Sequence, residues 1–112
     1  MMKNLLFLFM VMAMIFITSC KNNVVETEVH VWGNCDIAKK KIDSAAKMEG
    51  VLKADWNIET RLLSLKFDST KVSLDNILKN ISMAGFDNER YFADDYAYEQ
   101  LPDSCKYERR EE

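Results

Sequence analysis

A chain of 112 residues with a formal net charge of −3 leaves room for one small folded domain. The acidic balance excludes the usual nucleic-acid binder, which carries a basic patch and a high pI. The sequence contains a single His, no glycine-rich phosphate loop and no pairing of a nucleophile with a base. We therefore expect a protein that is not an enzyme.

Residues 1–19 have the pattern of a secretory signal peptide. Lys3 precedes an apolar run over residues 5–17, which is shorter than the roughly 20 residues that a membrane-spanning helix needs. The motif Ile17-Thr18-Ser19-Cys20 resembles the bacterial lipobox, whose cysteine receives the lipid. We expect lipidation of Cys20, a tether over residues 20–24, and export to the periplasmic or cell-surface side of a membrane, with an uncleaved anchor as the alternative.

Cleavage before Cys20 would remove Lys3 and no acidic residue, so the net charge would move from −3 to −4. The mature chain would keep two further cysteines, Cys35 and Cys105, in a compartment that permits disulfides.

Hydrophobic periodicity predicts a folded domain over residues 25–93. Alternation over residues 25–32 indicates a half-buried strand that ends at Gly33-Asn34. Helical periodicity follows from Cys35 to Glu49, and Gly50 ends it. Two further strands are expected over residues 52–58 and 63–68, joined by a tight turn at Glu59-Thr60.

A second helix and a fourth strand complete the pattern. Ser73 can cap a helix with apolar residues at i, i+3, i+4 and i+7, which Gly85 ends, and residues 86–93 form a weaker strand. The order β-α-β-β-α-β predicts an α+β, ferredoxin-like fold, a four-stranded antiparallel sheet with two helices on one face. Residues 94–112 are expected to be a tail with a short helix and an extended end. The side chains expected in the shared core include Ile42, Trp56, Leu65 and Ile81.

The turn after the first strand carries the most informative motif. Residues 31–40, Val-Trp-Gly-Asn-Cys-Asp-Ile-Ala-Lys-Lys, resemble the heavy-metal-associated domain of copper chaperones and metal-transporting ATPases. They are closest to the form W-G-N-C-x-x-C-K-K of exported bacterial members, and matches continue in register over residues 25–92. The resemblance implies binding of a soft ion, Cu(I) or another soft metal, by two thiolates, and its transfer to a partner protein by thiolate exchange.

The sequence departs from this motif at its second cysteine. Cys35 occupies the first cysteine position and Ala38 the second. Residues 101–107, Leu-Pro-Asp-Ser-Cys-Lys-Tyr, resemble the L-P-x-C-C-x-Y ending of the same relatives, with Ser104 in place of the first tail cysteine. Cys35 and Cys105 are therefore the candidate metal ligands, provided that the tail folds back over the loop.

Two other interpretations of these cysteines stay open. They could form a structural disulfide that pins the tail, or they could be unused thiols of a decayed site. The competing function is accordingly a non-metal structural or protein-interaction lipoprotein that kept the fold. Strand alternation places His30 on the solvent face beside Trp32, which argues against His30 as an additional ligand.

Overall fold

The computed structural model describes residues 23–111, and the signal peptide and lipidation predictions fall outside them. No helix in this part of the chain is long and apolar enough to cross a membrane. It is an α+β domain with three α-helices and three strands, followed by a 3-10 turn at Asp103–Cys105. In chain order the elements are β1 (Val24–His30), α1 (Asp36–Ala46), β2 (Val51–Trp56), β3 (Leu62–Asp68), α2 (Leu74–Met83) and α3 (Asp95–Glu99).

The three strands form one antiparallel sheet with the order β1-β3-β2. Leu63 of the central strand lies between Val29 of β1 and Trp56 of β2. Alternate residues of a strand point to the same face, so Leu63, Leu65 and Phe67 together cover the side on which the helices pack. All three are at most 4% exposed.

The fourth strand predicted over residues 86–93 is wrong for this structure. Among residues 23–111, this segment pairs with the chain just after β1 through one isolated antiparallel bridge, between Val31 and Asn88. The Asn88 side chain then accepts hydrogen bonds from the N–H groups of Arg90 and Tyr91, each at 3.1 Å. Such an Asx turn redirects the backbone, so pairing stops after one residue and the sheet has three strands.

The second strand differs from its predicted pattern at one side chain. Simple alternation along this strand places Leu52 on the same face as Ala54 and Trp56, but Leu52 is 61% exposed whereas the other two are buried. The register of β2 on β3 shifts between Val51 and Lys53, which marks a bulge. One extra residue reverses the facing of everything before it, and Leu52 therefore points to solvent.

The connection between β2 and β3 is longer than the predicted two-residue turn. It occupies residues 57–61, where the Asn57 side chain accepts the N–H groups of Glu59 and Thr60 at 2.8 and 3.1 Å. Arg61 closes it with a positive φ of 61°. The Asn side chain supplies the turn that Glu59-Thr60 could not form alone.

Both long helices begin close to their predicted starts, and the cap predicted at Ser73 is confirmed. The side chain of Ser73 caps α2, and the side chain of Cys35 caps α1. The first helix ends at Ala46, short of the predicted Glu49, because the chain must turn through Gly50 at a φ of 95° to enter β2.

The core contains both the predicted side chains and part of the tail. Leu101, Cys105 and Tyr107 are at most 4% exposed and pack in the same hydrophobic cluster as the domain. The end of the tail is therefore packed against the domain, and the 3-10 turn at Asp103–Cys105 interrupts the extended end that the sequence predicts. The four predicted core residues are buried at no more than 2% exposure: Ile42, Trp56, Leu65 and Ile81.

Candidate functional site

Cys35 lies at the start of α1, where it acts as the N-cap. Its backbone is extended, and its Sγ accepts a hydrogen bond from the N–H of Ala38 at 3.2 Å. The first turn of a helix carries partial positive charge and free N–H groups, so this position stabilises negative charge on sulfur. Cys35 is also partly exposed, and its neighbours Asn34 and Asp36 are more exposed than it is. A reagent in solvent can therefore reach this end of the helix.

The tail brings Cys105 directly against Cys35. The two Cα atoms are 5.3 Å apart and the side chains are joined as a disulfide, although 70 residues separate them in sequence. Cys105 lies in the 3-10 turn and is only 1% exposed. The structure thus joins the two cysteines named from the sequence, while their role as metal ligands stays a prediction.

Hydrogen bonds of the tail hold Cys105 in place independently of the disulfide. The buried hydroxyl of Tyr107 accepts from the N–H of Asp87 and donates to the carbonyl of Gly85, both at 2.8 Å. The Tyr98 hydroxyl donates to the Tyr107 carbonyl at 2.8 Å. The side chain of Tyr107 therefore binds the tail to the loop after α2, and its backbone carbonyl is bound to Tyr98 of α3.

A buried carboxylate strengthens this attachment. Asp87 is 0% exposed and accepts from Arg109 Nε at 2.9 Å, from the N–H of Ala93 at 2.7 Å and from the N–H of Arg110 at 2.8 Å. Burial alone would raise the pKa of Asp87, but these donors outweigh it and hold its pKa below the usual range. We call Asp87, Tyr107 and Arg109 the tail clamp.

Trp56 contacts the loop before α1 through a hydrogen bond and through its ring. The indole Nε1 donates to the Val31 carbonyl at 2.9 Å. A Cβ added at Gly33 would lie 2.9 Å from the Trp56 ring and 3.2 Å from the Ala38 Cβ, so only glycine fits there. Ala38, which stands where the resembling family has its second cysteine, is 1% exposed. That position is filled by core packing and offers no ligand.

The charged and aromatic groups near the loop have partners of their own. Lys39 Nζ binds Asp55 at 2.8 Å, Asp43 at 2.9 Å and the Trp56 carbonyl at 2.9 Å. The hydrogen bond with Asp55, followed by that with Asp43, raises the pKa of Lys39. Lys39 is therefore an ion-pairing residue.

His30 stacks on the Trp32 ring, with centroids 3.8 Å apart. Partial burial lowers the pKa of His30, against the opposing charge of Glu89. Within residues 23–111 no group of three or more His, Cys, Asp or Glu side chains is arranged to hold a metal ion. The chemistry available at the start of α1 is thus that of two sulfur atoms.

No family model matches the sequence, and no curated protein matches it. Several solved structures do match this chain. A structure of the CopZ metallochaperone is 29% identical with a TM-score of 0.55, covering 57% of this chain and 98% of its own. Oxidized MerP from Ralstonia metallidurans CH34 is 29% identical with a TM-score of 0.56, covering 59% of this chain and 94% of its own.

A copper binding domain from HMA7, a P-type ATPase, is 27% identical with a TM-score of 0.55, and the match covers 57% of this chain and 89% of that domain. The structural neighbours therefore include copper-binding heavy-metal-associated domains. They confirm the α+β fold that the order of elements predicts; the fourth strand of that prediction is not present among residues 23–111.

Proposed function

We propose that this chain, once its disulfide is reduced, binds one Cu(I) ion through Cys35 and Cys105 and hands it to a partner protein. One observation carries the proposal: two sulfur atoms from distant parts of the chain meet at the N-terminus of α1. They do so in a fold whose solved neighbours include a metallochaperone and a copper binding domain.

The donor set suits a soft ion. Thiolate sulfur favours Cu(I) over harder cations. Both sulfurs must be deprotonated to bind, so loading the site releases protons to solvent. At Cys35 the N–H of Ala38 already points at the sulfur and would stabilise negative charge on it once the disulfide is reduced. Cys105 supplies the second thiolate that Ala38 cannot.

The disulfide form cannot bind the ion in this way, because each sulfur is bonded to the other. Two equivalents of an external thiol reduce it: the S–S bond breaks, the two cysteines gain two electrons and two protons, and the external thiol leaves as its own disulfide. Metal loading is therefore conditional on redox state.

Handover follows from the unequal exposure of the two sulfurs. Cys35 is partly exposed whereas Cys105 is buried. A thiolate of a partner protein can therefore approach the ion on the Cys35 side and exchange with one ligand at a time.

The second candidate function is a protein-interaction module without metal. The burial of Cys105 and its clamped surroundings favour it, since a permanent disulfide in such a place would lock the tail onto the domain. This candidate predicts a protein that keeps its disulfide and never needs free thiols.

We also propose that the domain acts outside the cytoplasm, anchored by lipid on Cys20. The basic start, apolar run and lipobox-like residues 17–20 support this location, and an exported protein is free to form disulfides. Mass spectrometry of the processed N-terminus tests the anchor. The expected product begins at a lipidated Cys20, and a Cys20→Ala variant should carry no lipid; an unprocessed chain beginning at Met1 would contradict it.

Competition with a Cu(I) chelator tests the metal function. Reduced wild type should withdraw one Cu(I) per chain, and Cys35→Ser and Cys105→Ser should each lose most of this affinity, because one thiolate cannot complete a two-ligand site. Ala38→Cys in the Cys105→Ser background should restore binding by rebuilding the family's pair, and its folding should be checked because Ala38 is buried. Binding that survives either serine substitution unchanged would contradict the assignment of both ligands.

A further inference from the structure

The two halves of the disulfide differ in what surrounds them. Cys35 is partly exposed at the end of a helix, next to the exposed residues Asn34, Asp36 and Ile37. Cys105 is 1% exposed and packs in the hydrophobic core. Of the two cysteines, Cys35 is therefore the one that a nucleophile can approach from solvent.

We propose that the Cys35–Cys105 bond is an exchange-active disulfide that oxidises thiols, with Cys35 as the attacked sulfur and Cys105 as the buried resolving sulfur. This is a second activity of the chain and holds whether or not the pair binds a metal. Its substrates are thiols small or exposed enough to reach the start of α1.

The electrons balance in two steps. A thiolate attacks Cys35 Sγ, a mixed disulfide forms on Cys35, and Cys105 leaves with the electron pair of the broken S–S bond and takes up a proton. A second thiolate attacks the substrate sulfur of that mixed disulfide, and Cys35 leaves as a thiolate that the Ala38 N–H stabilises. The substrate has then become a disulfide, and the protein holds two reduced cysteines.

The tail clamp keeps Cys105 in position to close the disulfide again. Tyr107 and Arg109, beyond Cys105, bind the loop at Asp87 through contacts that do not involve sulfur. On the other side of Cys105, Leu101 is buried in the core. Cys105 therefore stays beside Cys35 after the bond breaks, and its effective concentration for closing the disulfide again remains high. A tail held only by its disulfide would move away on reduction.

Trapping the intermediate tests this assignment. Oxidised full-length protein is mixed with reduced glutathione, quenched at successive times with iodoacetamide in denaturant so that the buried Cys105 is also alkylated, digested and analysed by mass spectrometry. We expect a species with glutathione on Cys35 and an alkylated Cys105, exceeding the opposite arrangement by at least about tenfold because access decides which sulfur is attacked. Glutathione on Cys105, an even mixture, or a disulfide that glutathione does not open in the folded protein would overturn the proposal.

Single-cysteine variants, each made in a Cys20→Ser background, supply an independent measurement. Cys105→Ser leaves Cys35 as the thiol of the domain, and Cys35→Ser leaves Cys105. In a reaction with a chromogenic aromatic disulfide, the first variant should react at least about tenfold faster. Circular dichroism confirms that both are folded, and equal rates in folded variants would overturn the asymmetry. Neither experiment contains metal, so failure to bind Cu(I) would leave this inference intact, and failure to exchange would leave the metal proposal to its own titration.

Discussion

Reducing the disulfide should destabilise the domain by an amount that follows from its position. The bond closes a loop of 70 residues between Cys35 and Cys105. Removing such a cross-link increases the conformational entropy of the unfolded chain, and this lowers the free energy of unfolding by about 4 kcal/mol at 25 °C. The tail clamp persists in the folded state, so little compensating relaxation is available there. For a domain of this size the loss corresponds to a melting temperature lower by roughly 15–30 °C.

Urea and thermal unfolding with and without a phosphine reductant measure this difference. The matched control is the double variant Cys35→Ser, Cys105→Ser, which should have the stability of reduced wild type and should not respond to reductant. The reduced protein should remain folded in the absence of denaturant, because its core and clamp are intact. A difference below about 1 kcal/mol between oxidised and reduced wild type would refute the argument that the tail is cross-linked to the domain.

Three further predictions concern the packing that supports the site. Truncation of Trp56 to Ala should cost about 3–5 kcal/mol in urea unfolding, since the ring is fully buried, and a loss under about 1 kcal/mol would mean that its facing is wrong. Tyr107→Phe should cost about 2 kcal/mol because two buried backbone groups lose their partner, whereas Tyr96→Phe, on a ring that is 75% exposed, should cost almost nothing; equal effects would contradict the clamp. Asp87 has a lowered pKa in the folded state, so its stabilising effect is complete above the unfolded value of about 3.9 and is lost as the pH falls below it. Asp87→Asn should accordingly be less stable at pH 7 and less sensitive to acid, which pH-dependent urea unfolding would show; parallel acid profiles would contradict this.

The elements that the sequence predicts well are those determined by helix caps and local hydrophobic periodicity. The Ser73 cap and the apolar spacing after it define α2 without any tertiary information. The alternation in β3 defines a strand whose register then places Leu63, Leu65 and Phe67 in the core. In these segments local propensity and burial agree, and the prediction needs nothing else.

The segments that the sequence predicts poorly depend on partners far along the chain. The bulge that exposes Leu52 is a property of the pairing between β2 and β3, so alternation in β2 alone cannot reveal it. Residues 86–93 alternate weakly as a strand would, but Asn88 forms an Asx turn and Asp87 is occupied by the tail. Their side chains hold the fold together through contacts other than strand pairing.

The sequence predicts only part of the site. Two motifs pointed to Cys35 and Cys105 separately, and the structure supplies the contacts that bring them together. The residues that sequence reasoning missed are those of the clamp, because Asp87 meets Tyr107 and Arg109 only in the folded state. The signal that could have indicated them is an acidic residue directly after Gly85-Phe86, in a segment otherwise predicted to be a strand.

The central claim, that the two cysteines form a redox-dependent Cu(I) site, is tested most directly by one paired titration. The same preparation competes against a Cu(I) chelator before reduction and after reduction with removal of the reductant under anaerobic conditions. The account predicts no withdrawal of copper by the oxidised protein and one Cu(I) per chain for the reduced protein. Reduced, folded protein that withdraws no Cu(I), or oxidised protein that binds it equally well, would contradict the claim.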